Sequence, residues 1–170
     1  MRDTAPKSVY LADVYSDPVI VRIEGRACFQ NCAQLREFVS QMEQTGKTRF
    51  VFDFQRCTSM DSTFLGVLAG VALELRRRAP GGGLVLARVG PRNLELIRNL
   101  GLHRLMTVDA SGEGPSCERC DTPISAPETS ELERARLVLG AHENLVAADE
   151  TNRAKFQDVL VFMKNRVDRG

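Results

Sequence analysis

The stretch from Thr48 to Arg78 does most to limit what this chain can fold into. Thr48 to Phe54 reads T-R-F-V-F-D-F, so Phe50, Phe52 and Phe54 alternate onto one face of a strand, and aromatic side chains suit a pleated surface. Asp61 then precedes an apolar, helix-compatible run from Ser62 to Leu75, which ends in Arg76, Arg77 and Arg78. Asp is a preferred N-cap and cations favour a helix C-terminus, so both ends of the predicted helix are marked.

The flanks supply further elements of both kinds. Val9 to Val14 and Val19 to Glu24 read as strands around a Ser16-Asp17-Pro18 turn. Between Asn31 and Gln44, Leu35, Phe38, Val39 and Met42 form one helical face, closed by Gly46. After the Gly81-Gly82-Gly83 turn, Leu84 to Val89 is a buried strand. Pro91 opens a short helix carrying Leu94, Ile97 and Leu100, and Leu105 to Val108 is a last short strand. Strands alternating with helices predict an α/β fold, a mixed sheet with helices packed on it.

Beyond Asp109 the composition shifts. Residues 113–130 are rich in Gly, Ser, Pro and Thr and read as a linker. Two amphipathic helices follow in 131–170. The first carries Leu132, Ala135, Leu139, His142 and Val146, the second Phe156, Val159, Leu160, Met163 and Val167. Two such helices alone are marginal. The hairpin is therefore expected to dock further, on the domain formed by 1–112 or, as the favoured alternative, on a second copy in a homodimer. No apolar run approaches the roughly 20 residues needed to cross a bilayer. A net charge of +1 supplies no global field for nucleic acid or anionic membrane. The polar N-terminus and the odd count of 5 cysteines point to a cytoplasmic protein with reduced thiols.

The chemistry concentrates at Asp61-Ser62-Thr63. A hydroxyl pair directly after a capping Asp sits where free backbone N–H groups and the helix dipole favour an anion. A phosphate on Ser62 would carry about −1.5 to −2 charges there without breaking the fold. The eight-residue run Asp61-Ser62-Thr63-Phe64-Leu65-Gly66-Val67-Leu68 resembles the D-S-[ST]-G-L-G-x-L signature of the anti-sigma-factor antagonists, the STAS family. Asp53 matches the acidic residue usual at the end of the preceding strand. The element order from about Val9 to Val108 is similar as well.

The resemblance implies a non-enzymatic binding protein without cofactor. Its acceptor is Ser62, with Thr63 secondary, and its switch surface includes Asp53, Asp61, Phe64 and Gly66. The implied partners are a serine kinase that is also the anti-sigma factor, and a serine phosphatase. The alternative is a STAS-like scaffold or accessory subunit of a membrane transport complex that is never phosphorylated. Phe64 stands where the family has Gly, and the resemblance predicts it exposed or half-exposed as a contact residue. As an exposed first-turn position, Ser62→Ala is expected to cost within about 0.5 kcal/mol.

Other motifs carry less. Cys117-x-x-Cys120 is half of a zinc ribbon without its second half, so two solvent-exposed linker thiols are expected and no metal. Gly46-Lys47-Thr48 lacks the first glycine of a phosphate loop and precedes a strand. Cys28 and Cys32 read as small packing residues.

Overall fold

The computed structural model describes residues 9–109, 111–114, 117–125 and 128–170. Its strands are β1 (Tyr10–Asp13), β2 (Val19–Ala27), β3 (Arg49–Met60), β4 (Gly83–Ala87), β5 (Thr107–Asp109) and β6 (Thr122–Pro123). They form one six-stranded sheet in the order β5-β4-β3-β2-β1-β6. β1 pairs antiparallel with β2 and β6, whereas β2, β3, β4 and β5 run parallel. The mixed sheet predicted from the sequence is the sheet observed.

β3 lies at the centre of the parallel part, and Phe50, Val51, Phe52, Asp53 and Phe54 are all buried. Burial on both faces is what helix-covered parallel strands require. The strand runs past the predicted Phe54 to Met60, because Glu24–Ala27 of β2 keeps pairing with Arg56–Met60. Register shifts after Arg22 and Gly25, the latter at φ +83°, keep that pairing going.

The helices are α1 (Cys32–Gln44), α2 (Ser62–Arg78), α3 (Pro91–Asn99), α4 (Glu131–Ala148) and α5 (Asn152–Arg169), with a 3₁₀ turn at Leu102–Arg104. α2 contacts α1, β3 and β4, and α4 packs along α2. The C-terminal hairpin therefore docks on its own domain. Its buried α4 side chains are Ala135, Leu137, Val138, Ala141, His142, Leu145 and Val146. Leu132 and Leu139, expected in that stripe, are only half-buried. On α5, Phe156, Val159, Leu160, Met163 and Val167 are half-buried, while Val161 and Phe162 are exposed.

Two details differ from the expected linker at 113–130. Thr122–Pro123 extends the sheet along β1, and the Ile124 N–H donates to the Tyr10 carbonyl at 3.0 Å. Cys117 and Cys120 are disulfide-bonded, not free thiols, and Cys120 is buried against Ile20 instead of solvent-exposed. Cys28, Cys32 and Cys57 are free and buried, as packing residues should be.

Candidate functional site

α2 begins where β3 ends, and Asp61 makes the junction rigid. One carboxylate oxygen accepts the Phe64 N–H at 2.8 Å, the N-cap bond predicted for this residue. The other accepts the Phe29 N–H at 2.9 Å, and the Asp61 N–H donates to the Ala27 carbonyl at 3.2 Å. One side chain thus ties the end of β2 to the start of α2. Asp61 and Ser62 keep partial exposure.

Ser62 occupies the first helical position, and its hydroxyl has a partner far along the chain. Ser62 Oγ lies 2.9 Å from His142 Nε2 on α4. His142 Nδ1 lies 2.7 Å from the Val138 carbonyl oxygen. A carbonyl only accepts, so Nδ1 carries a proton; in the tautomer where that is the ring's single proton, Nε2 is an acceptor. In that tautomer Ser62 is the donor. His142 is 2% exposed, and its ring meets Phe156 of α5 edge-on at 5.1 Å. Beside Ser62 opens a cleft of about 470 Å³, lined by Met60, Leu65, Leu100, Lys155 and Phe156 among others. Lys155 Nζ donates to the Asn99 carbonyl at 2.6 Å, fastening α5 to the end of α3.

The other residues assigned to the switch surface are buried. Phe64 is 0% exposed and packs edge-to-face on Phe54, with ring centroids 6.2 Å apart. The predicted exposed contact is therefore a core residue. An apolar ring in the first turn gains more from the sheet than from solvent. Thr63 is buried as well. Asp53 is not a surface group either. It pairs with Arg88 at 3.2 Å and accepts the Gln55 N–H at 3.0 Å, while Arg88 also donates to the Gly114 carbonyl at 2.8 Å. Gly66 faces α4: a methyl group there would collide with the Ala141 backbone carbonyl. The Asn144 amide donates to the Gly66 carbonyl at 3.2 Å.

Sequence reasoning reached Asp61 and Ser62 but treated His142 as one more stripe residue. The available signal was a lone imidazole in an otherwise apolar face, which must find partners when buried. Nothing nearby resembles an activated thiol. Burial pushes the Cys32 thiol up to about 12 and Cys57 to about 11, so both stay protonated near neutral pH. Among the described residues, no group of three or more His, Cys, Asp or Glu side chains could hold a metal ion. No helix among them is long and apolar enough to cross a membrane.

Comparison with known proteins supplies the family context. The STAS domain family model matches residues 10–113. A solved structure of a candidate anti-sigma factor antagonist from Thermotoga maritima aligns with a TM-score of 0.54 and 17% identity, over 59% of this chain and 85% of that one. The Bacillus cell fate determinant SpoIIAA in its phosphorylated form aligns with a TM-score of 0.50 and 23% identity, over 61% of this chain and 94% of that one. At these identities the likeness speaks to the fold.

Proposed function

The chain belongs to the STAS domain family, and on that premise we propose that it is a regulatory binding protein whose contact with a protein partner is switched by a phosphate on Ser62. The observation that carries this reading is the position of Ser62: first residue of α2, directly after the capping Asp61, and partly exposed. A helix start of this kind tolerates a dianion. The surrounding D-S-T-F-L-G-V-L matches the family signature except at Phe64. Because Phe64 is buried, the departure changes the core beneath the switch and not the surface a partner meets. The partners under this reading are a serine kinase acting as anti-sigma factor and a phosphatase that resets Ser62. The protein acts in the cytoplasm as a binding protein without catalysis of its own. A second copy could add through the exposed Val161 and Phe162 of α5.

Phosphopeptide mass spectrometry of the native protein tests the switch. A phosphate within residues 58–68 that Ser62→Ala abolishes is the expected result. Labelling that persists in full at another residue of the Ala variant defeats the assignment. One observation favours the second reading, a scaffold or accessory subunit of a membrane transport complex that is never phosphorylated: the Ser62 hydroxyl is already engaged by His142. Native protein that carries no phosphate on 58–68 under any growth condition would decide for it.

A further inference from the structure

The face of α2 that begins at Ser62 continues through Gly66 and Gly70, and α4 lies along it. Gly66 is the glycine the approach requires, because it faces backbone. A methyl group at Gly66 would run into the Ala141 backbone, and one at Gly70 into the Asn144 side-chain amide. Asn144 bonds the Gly66 carbonyl, His142 holds the Ser62 hydroxyl, and Leu137, Ala141 and Leu145 join the core. α5 closes the end of this face by setting Phe156 against His142 and fastening Lys155 and Asn152 to the carbonyls of Asn99 and Leu100. This is a helix-binding groove with its occupant in place.

We infer that the α4–α5 hairpin is a resident ligand of the Ser62 face, and that hairpin docking and a phosphate on Ser62 exclude one another. The inference rests on the reading of Ser62 as the switch residue. The hydroxyl oxygen lies 2.9 Å from the imidazole Nε2, in a contact where His142 is 2% exposed. With Oγ at hydrogen-bond distance from the ring, a phosphoryl group on it would crowd the buried His142 side chain and bring about −1.5 to −2 charges against it. Linkage makes the effect reciprocal. Whatever factor the phosphate takes from hairpin docking, docking takes from the phosphorylated state. A protein that needs the whole α2 face from Ser62 to Gly66, and not only the exposed part of Ser62, must first displace the hairpin, so its apparent affinity is reduced by the fraction of molecules in which the groove is open.

Hydrogen exchange on the full chain, with phosphoserine incorporated at 62 during translation, reads this out. In the unmodified chain α4 amides are expected to be protected. In the phosphoserine chain, exchange over residues 137–146 should rise at least tenfold while β3 and β4 keep their protection. Gly66→Ala supplies the reference for a released hairpin; if β3 and β4 also lose protection in that variant, Leu145→Asp, which places a charge at a fully buried α4 position, takes its place. An unchanged α4 exchange rate in the phosphoserine chain overturns the inference. So does a slower one, which would mean that the phosphate is held under the hairpin by groups such as His142 and Lys155. Native protein that carries no phosphate at Ser62 would defeat the switch reading while leaving this coupling measurable.

Discussion

Replacing Ser62 by Ala removes one oxygen from a half-buried helix start, and its cost depends on what that oxygen touches. Taken as an exposed first-turn residue, it should cost within about 0.5 kcal/mol. Its 2.9 Å contact with His142 Nε2 changes the expectation. The imidazole stays buried with Nδ1 satisfied by Val138 and Nε2 left without its partner. An unpaired buried acceptor costs about 1–3 kcal/mol. For a protein of this size that is a fall in melting temperature of about 2–4 °C per kcal/mol. Removing both partners is a different perturbation. His142→Leu alone strands the Ser62 hydroxyl, but Ser62→Ala combined with His142→Leu leaves no orphaned group. The double variant should be more stable than the sum of the single losses, by about 0.5–3 kcal/mol. Urea unfolding of the four proteins, extrapolated linearly, measures the cycle. A Ser62→Ala midpoint indistinguishable from wild type, together with an additive double variant, would refute the claim that this hydrogen bond holds the hairpin.

Further outcomes follow from the same contacts. Phe64→Ala should lower stability by about 3–5 kcal/mol, because the ring is fully buried against Phe54; an unchanged thermal melt would return Phe64 to the surface. Asp149 sits between α4 and α5, where the Thr151 hydroxyl and backbone N–H hold its carboxyl below the usual carboxylate range. A depressed folded value means that its contribution is present above the unfolded carboxylate value and is lost as pH falls through the folded one. Asp149→Asn should therefore flatten the acid side of a plot of melting temperature against pH, and an unaltered acid limb would show that this junction does not sense pH.

The fold was legible in the sequence wherever side-chain patterning carried the signal. The Phe50-Phe52-Phe54 alternation and the capped run from Ser62 put β3 and α2 at the centre, and the structure has both there. Patterning failed where backbone pairing decided. Gln55 to Ser59 looks too polar for a strand, yet it extends β3 because β2 offers a pairing edge across its bulges. Thr122–Pro123 is a two-residue strand inside a Pro- and Ser-containing segment, and it exists only because the edge of β1 is open to it. A proline can serve at such an edge, where one side of the strand has no ladder to complete.

The site was legible by half, and the missing half lies in how α4 is used. Read by itself, α4 shows an apolar stripe with a histidine in it, which fits a partner on the same chain or on another. What decides between them lies on α2. Gly66 was read from the resemblance as part of a switch surface, yet its missing side chain admits the Ala141 backbone. A family motif and a steric requirement of the C-terminal extension thus fall on one residue. The motif face of α2 meets the extension at Ser62 and Gly66, so two residues that the resemblance assigns to a switch are also residues against which the hairpin is seated. If the proposed coupling holds, a change that loosens α4 further exposes Ser62, and a group added to Ser62 weakens the seat of α4. The hydrogen-exchange comparison tests that coupling independently of which partner the face receives.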